Sequence, residues 1–394
     1  MNENVANVMF FFHYSGLNNG AVRSMVDVIE SLTTKFGVHI VVIYPDKKGT
    51  AIEYLESLGI KCYRVTYGRW DYKLNDTIFN KGKAFLRIIF KGLIGLKNTG
   101  KISKIIKEEN INIIYSNTAT VYMGAWISKR FKLPHVWHIR EFGKEDHGIS
   151  FCFGSDRLIK TINKTANTVI YISNSIKGKY TKDLSDKVRQ VVVYNDISRK
   201  FDNPKETFNL DADSPLEVVI IGSLQEGKGQ LEVIKAVEIL KRQGKGVILH
   251  IGGRTEGAYY NLLKEYVHSH ELSDCVIFDG FITEVNVYRA TMDVGVVASS
   301  NEAFGRVTIE GMLSMMAMIG ANAAGTSELI QEGETGLLYE LHNEMDLANQ
   351  LKRFIDDRDF MKSIALQGYE YSLGKYGSEK AANSINDELS RLLH

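Results

Sequence analysis

The sequence predicts an α/β protein made of two doubly wound parallel sheets facing each other across a cleft. Three observations carry that expectation. Short apolar runs alternate with amphipathic helical segments along almost the whole chain, the pattern that gives parallel sheets covered by helices. The alternation lapses once, in a polar, turn-forming stretch at 199–215, and then restarts. Charge divides at the same place: residues 1–200 carry 31 Lys and Arg against 17 Asp and Glu, a net +14, whereas residues 201–394 carry 17 against 30, a net −13. A chain of 394 residues also has the length for two separate cores.

In the first half, strands are expected at 8–12, 38–43, 60–65, 111–116, 134–138, 168–172 and 190–193, with an amphipathic helix at 22–32 after the first. The stretch 199–215 holds Lys200-Phe-Asp-Asn-Pro and Asp211-Ala-Asp-Ser-Pro, and it reads as a linker between a domain at 1–200 and one at 201–376. Strands then follow at 216–222, 247–252, 276–279, 293–298 and 316–320, separated by helices near 229–243, 258–269 and 306–314. From Asp346 onward helix dominates. No repeat of 20–50 residues interrupts the pattern.

Composition narrows the class. With 34 glycines and only 4 prolines, the chain is neither collagenous nor proline-rich and disordered. Cys62, Cys152 and Cys275 are isolated, which argues against a disulfide framework and a cysteine zinc site and suits a reducing compartment. Met1-Asn-Glu-Asn has no basic segment ahead of the short apolar run, and no 18-residue uncharged apolar stretch follows. A cytoplasmic location is expected.

Ligands of doubly wound sheets sit at the carboxyl ends of strands, so the strand-to-helix loops are where chemistry is sought. The first such loop, Ser15-Gly-Leu-Asn-Asn-Gly-Ala-Val, has Gly16 and Gly20 to allow a tight turn and close approach of a phosphate to a helix N-terminus. Its spacing is not that of a dinucleotide fingerprint, and a plain turn explains it as well. The second domain opens with Ile221-Gly-Ser-Leu-Gln-Glu-Gly-Lys-Gly-Gln, where Lys228 stands between two glycines just before a helix. Charge and helix dipole together favour phosphate there. Gly229 occupies the place where a P-loop needs Ser or Thr.

Ser299-Ser-Asn-Glu-Ala-Phe-Gly-Arg-Val-Thr-Ile-Glu-Gly-Met is the most informative stretch. Glu302 lies in the loop after a strand, Gly305 lets the backbone turn into a helix, and Arg306 and Glu310, four apart, share a helix face. A carboxylate so placed can accept hydrogen bonds from vicinal hydroxyls of a ribose or another sugar. A solvated Arg–Glu pair is the plainer alternative. Asp211-Ala-Asp213 has the look of a metal-binding pair but sits in the linker beside Pro215, and no metal site is assigned.

Residues 77–107 carry eight Lys and Arg and no acid. Lys83, Arg87 and Lys91 recur every four residues, with Phe85, Leu86, Ile88, Ile89, Phe90, Leu93 and Ile94 around the rest of the circumference. A broad apolar face with a basic stripe suits a helix lying in an anionic membrane interface, and an ordinary helix packed on the sheet is the alternative. Nucleic-acid binding finds no reading motif and is not expected.

Taken in order, Ile221-Gly-Ser-Leu-Gln-Glu-Gly-Lys-Gly, Phe278-Asp-Gly-Phe, the Glu302/Glu310 pair with seven residues between, Ala324-Gly-Thr-Ser-Glu-Leu-Ile and Gly333-Glu-Thr-Gly-Leu-Leu resemble the GT-B-fold retaining glycosyltransferases of family 4, the glycosyl transferases group 1. The resemblance covers nearly the whole chain and is most specific at 216–340. It implies two Rossmann-like domains, a nucleotide-sugar donor (a UDP-sugar favoured) on the C-terminal one, and a saccharide or lipid-linked saccharide acceptor on the N-terminal one. It also implies a final helix near 377–393 that packs back on the N-terminal domain.

Position by position, Glu310 matches the glutamate on the donor ribose and Glu302 the one on the transferred sugar. Phe304, Gly305 and Arg306 match the loop facing sugar and diphosphate. Lys228 matches the diphosphate lysine, Gly20 the second glycine of the first loop, and His138 the strand-end histidine against the donor sugar. Departures stand at Ser223, where the family usually has Arg, at Met315 and Ala317 in place of Gly and Pro, and at Asn19 and Val22 in place of Gly and Glu. Arg306 is the candidate to replace the charge missing at Ser223.

The mechanism this implies is leaving-group stabilisation by Lys228, Arg306 and loop amides without a metal or other cofactor, with front-face attack and His138 orienting the sugar. The surroundings implied are the cytoplasm and the inner face of the cell membrane, in bacterial surface polysaccharide synthesis. The alternative from a different class is a noncatalytic subunit of the same fold that stabilises an active partner.

Overall fold

The computed structural model describes residues 6–74, 76–152, 154–197, 204–377 and 379–394. The chain divides into two compact units: the first comprises the chain up to Asp196 together with Glu379–His394, the second the residues between. The expected domain boundary at 200 and the first part of the linker lie outside the described residues.

The first unit contains β1 (Asn7–Phe11), β2 (His39–Tyr44), β3 (Lys61–Arg64), β4 (Asp71–Lys73), β5 (Ile113–Asn117), β6 (His135–Ile139), β7 (Ile149–Phe151), β8 (Thr168–Tyr171) and β9 (Arg189–Val192). Seven of them form one parallel sheet in the order β3-β2-β1-β5-β6-β8-β9. These are the seven strands expected from the sequence, with ends shifted by one or two residues. Helices cover both faces, so the central strands are apolar on both sides; Val8, Met9, Phe10 and Phe11 are all buried. β4 and β7 pair antiparallel as a separate ribbon that was not expected, because three residues are too few to show a period.

The helix after β1 runs Gly20–Phe36, longer at both ends than the apolar pattern at 22–32. Its start is set by Asn19, whose side chain accepts a hydrogen bond from Val22 N at 3.1 Å, and its end by Gly37 at φ 63°. Asn19, a departure from the family pattern, thus acts as the helix cap. The last helix, Lys380–Arg391, places Ala381, Ile385 and Leu389 in the same core as Val22, Met25 and Ile29. Asp196 accepts from Glu379 N and Ala381 N at 2.9 Å, and Arg189 pairs with Glu388 at 2.8 Å.

The second unit contains β10 (Leu216–Ile221), β11 (Val247–Gly252), β12 (Val276–Gly280), β13 (Val294–Val297), β14 (Ala317–Ala321) and β15 (Leu337–Tyr339), all parallel in the order β12-β11-β10-β13-β14-β15. Only the three-residue β15 was not expected. Met315 takes φ 54°, a left-handed conformation that suits the glycine usual there and costs another residue about 1 kcal/mol. Each unit is thus a parallel sheet covered by helices, the α/β class expected. Among the described residues no helix is long and apolar enough to cross a membrane.

Three imidazoles are buried in the first unit. His135 on β6 is fully buried, with Nε2 2.9 Å from Ser116 Oγ, and burial pushes its pKa down to about 3. Burial, with the nearby Arg69 and Arg140 guanidiniums, does the same for His13, also to about 3, and His138 is lowered as well. A histidine whose folded pKa is depressed contributes stability that is present above its unfolded pKa and is lost as pH falls toward the folded value. The unfolding free energy should therefore fall between pH 6.5 and 4, by about 1.4 kcal/mol per pH unit for His135 and the same for His13. Denaturant titrations of His135→Gln should show a shallower acid slope than wild type; equal slopes would show that the ring is not kept neutral by the fold.

Candidate functional site

The loops at the carboxyl ends of β10 and β13 carry the residues singled out in the second half. After β10 the chain makes a short 3-10 turn at Glu226–Lys228 and enters the helix Gln230–Arg242 through Gly229. Gly229 sits at φ 73°, and a Cβ there would meet Ala298 O at 2.4 Å, so the loop after β13 can lie against this turn only because no side chain intervenes. Ser300 N donates to Gly227 O at 3.3 Å, and Gly325 N to Glu302 O at 2.7 Å, fixing the second loop from both sides.

Lys228 and Glu302 meet directly: Nζ lies 2.6 Å from Oε2, with both side chains partly open to solvent. Two residues 74 positions apart, each with a charge that a diphosphate sugar can use, thus share one point. The ammonium is a donor only and the carboxylate an acceptor only, so the pair offers an anion and a hydroxyl their complementary partners side by side.

Glu310 lies in the helix Arg306–Leu313, which starts from Gly305 at φ 95°. The shared face expected for Arg306 and Glu310 is present, with Nε 3.3 Å from Oε1. The other oxygen is held by Arg289, Nη2 to Oε2 2.7 Å. Arg289, on the helix Val285–Ala290, is only 2% exposed. Arg306, the candidate to replace the charge missing at Ser223, is thus paired with Glu310. Phe304 is buried, and its ring meets Tyr376 edge-on at 6.0 Å. Ser223 lines a pocket of about 480 Å³ at the ends of β10 and β11, with Gly253, Arg254, Phe281 and Val285. Arg254 lies over the Phe281 ring at 5.6 Å, a cation beside the position where Ser223 lacks one.

In the first unit, His138 is within β6 rather than in an open loop, and it is 1% exposed. Its Nδ1 lies 2.7 Å from the Tyr115 hydroxyl, and Nε2 is buried with no hydrogen-bond partner among the described residues. Gly20 is the first residue of its helix and faces open space, whereas a Cβ on Gly16 would press on Tyr14 and Asn18. Asp211, read as a linker residue, accepts from Asp213 N at 3.0 Å and Ser214 Oγ at 2.8 Å, an exposed turn closed on itself.

The basic stripe does not act as one surface. The helix Ile78–Lys97 advances about 100° per residue, and it turns Ile88, Lys91 and Gly95 inward. A Cβ on Gly95 would meet Met123 Cε at 2.4 Å. Lys91 pairs with Asp46 at 3.3 Å, and it lines a second pocket with Arg87, while Lys83 covers the Phe79 ring at 4.2 Å. The outward face is apolar and uncovered: Phe79 is 69% exposed, Leu86 67% and Phe90 66%.

Comparison with known proteins bears on the second unit first. Residues 202–371 match the model of the glycosyl transferases group 1. Most of the second unit is thus similar to that family. That match spans less than half of the chain, and likenesses of the whole extend it. An uncharacterized glycosyltransferase of Methanocaldococcus jannaschii is 25% identical over 76% of this chain and 82% of its own length. The capsular polysaccharide biosynthesis glycosyltransferase CapM of Staphylococcus aureus is 25% identical over 54% of this chain and 59% of its own. The solved structure of Anabaena HepE in complex with UDP and glucose superposes with a TM-score of 0.75 at 20% identity, covering 98% of this chain and 100% of that one. These findings support a GT-B glycosyltransferase.

Within the second unit, sequence reasoning missed Arg289 and Arg254. Arg289 has no motif around it; a single charge in the otherwise uncharged run Val285–Met292 was the available signal. Removing one partner of a buried ion pair leaves an uncompensated charge, at about 3–5 kcal/mol. Arg289→Met should lower the unfolding free energy by about 3 kcal/mol, at the low end because Arg306 stays on Glu310, and Glu310→Gln combined with it should recover part of the loss. A double-mutant cycle in urea measures this; strictly additive costs would show that the two side chains do not interact.

Proposed function

We propose that the chain is a retaining glycosyltransferase that moves a sugar from a UDP-sugar to a lipid-linked saccharide at the inner face of the cell membrane, in surface polysaccharide synthesis. The observation that carries the reading is the pair of contacts Lys228–Glu302 and Arg289–Glu310–Arg306 inside the second unit. Glu310 accepts the ribose hydroxyls, with Arg289 holding its carboxylate in place. Glu302 takes hydroxyls of the transferred sugar. Lys228 leaves Glu302 for the diphosphate, joined by the backbone N–H groups of Phe304, Gly305 and Arg306 at the helix start. Base and ribose would occupy the pocket beside Ser223, where Arg254 and Phe281 offer a cation and a ring face.

Charge develops on the diphosphate as the glycosidic bond breaks, and fixed donors at that point lower the barrier most. Lys228 and the loop amides supply it in this reading without a metal. Front-face attack follows, with a donor phosphate oxygen taking the acceptor's proton and His138 orienting the sugar. The noncatalytic-subunit alternative is not favoured, since the residues retained are those of donor chemistry.

Thermal unfolding of the full chain with UDP, GDP, ADP, dTDP and CDP tests the donor assignment. A diphosphate at 100 times its dissociation constant stabilises by about 2.7 kcal/mol, which is several degrees for a unit near 200 residues. UDP should raise the transition, and Glu310→Ala should abolish the rise. No rise with any diphosphate would return the noncatalytic subunit to first place.

The uncovered face of the helix Ile78–Lys97 supports an anionic bilayer as its occupant, since Lys83 and Lys97 flank the exposed apolar rings in a unit of net positive charge. Vesicles of phosphatidylglycerol should sediment the protein, and Leu86→Glu with Phe90→Glu should release it. Equal sedimentation of the double variant would remove the helix from the membrane contact.

A further inference from the structure

The first unit holds a pocket of about 510 Å³ between the loop after β1, β4 and the helix Ile78–Lys97. Its charges fall into two groups. Arg69 is locked to the buried Asp71 by two hydrogen bonds, Nε–Oδ1 2.8 Å and Nη2–Oδ2 2.5 Å, and Lys91 pairs with Asp46. Those four nearly cancel. Lys73 and Arg87 line the same pocket with no ion-pair partner among the described residues, against a single further acid, Asp76. His13, nine-tenths buried, lines the pocket as well, and its Nδ1 has no hydrogen-bond partner among the described residues.

We propose that this pocket binds a phosphate-bearing polyol, of the class of a sugar phosphate, with Lys73 and Arg87 on the phosphate and the His13 ring on a hydroxyl. Two chemistries are needed because the pocket presents two unmet demands. Lys73 and Arg87 offer donors and positive charge, which a phosphate oxygen satisfies. The neutral His13 ring has one donor and one acceptor nitrogen, and a hydroxyl, which both donates and accepts, completes either tautomer. A neutral sugar answers only the histidine, and inorganic phosphate answers only the cations. The helix that contributes Arg87 is also the one with the uncovered apolar face, so the sugar-phosphate head of a lipid-linked acceptor is one source of this chemistry and a free sugar phosphate the other. The role of acceptor rests on the glycosyl-transfer reading; the pocket's ligand class does not.

Calorimetric titration of the full chain with glucose 1-phosphate, pyrophosphate and glucose tests it, beside flotation with neutral vesicles bearing a polyprenyl diphosphate sugar. Glucose 1-phosphate should bind, with affinity at least about tenfold lower in Arg87→Gln and in Lys73→Gln, since a hydrogen bond to a charged group contributes about 1.5–3 kcal/mol. His13→Phe should weaken glucose 1-phosphate and leave pyrophosphate unchanged. Binding confined to the vesicle arm, and lost in Arg87→Gln, identifies a lipid head; binding of the soluble sugar phosphate identifies the free form. No binding in either arm, or binding indifferent to Lys73 and Arg87, overturns the proposal. The UDP response serves as the separator: its absence with pocket binding intact sinks glycosyl transfer and leaves the pocket standing, and its persistence in Arg87→Gln certifies that variant's fold.

Discussion

Parallel pairing is the constraint from which the rest of each unit follows. A parallel strand cannot be reached by a tight turn, so every strand is followed by a crossover, and every loop that leaves a strand's carboxyl end gathers on the same edge of the sheet. That is why residues as distant in sequence as Lys228 and Glu302 stand 2.6 Å apart. The sheet brings their loops together, and Gly229 lets the two backbones touch. The same rule in the first unit sets the His13 loop on the edge it shares with the end of β6, where His138 lies.

Within the second unit, burial then decides what the gathered charges can do. Glu310 is buried, and each of its carboxylate oxygens is held by a guanidinium. A carboxylate fixed in this way keeps its oxygens aimed and needs no rearrangement when a diol arrives. Lys228 and Glu302 sit nearer the solvent with their side chains paired to each other, so a ligand can part them at modest cost.

The fold was legible because parallel strands buried on both faces leave a strong mark: continuous apolar runs at regular intervals. All twelve strands expected from those runs are present. The three that were not, β4, β7 and β15, are three residues each, shorter than any period can register. Of the candidate site, the loop residues with local motifs were legible, because glycine spacing and the Glu302/Glu310 interval are visible along the chain. Arg289 was not, since its meaning lies in a contact with a residue 21 positions away. The basic stripe was legible only in part. A repeat of four identifies one edge of a helix, yet the helix here rotates that edge from Lys83 over an exposed ring to Lys91 beside Asp46. Where an edge faces depends on what the unit packs beneath it, and no spacing reveals that.

Asp196, the last residue of the first unit before the chain departs, is also the residue that receives the chain on its return, through the amides of Glu379 and Ala381. The order of synthesis gives this arrangement a temporal meaning. As the polypeptide emerges from the ribosome, the seven-stranded sheet can form early, but the apolar stripe along the helix Gly20–Phe36 has to wait for Ala381, Ile385 and Leu389. They appear only after the entire second unit has been translated. The nascent first unit therefore passes that interval with part of its core open to water, a stage at which chaperone capture or aggregation competes with folding. The last helix acts as a latch that closes the unit made first and finished last.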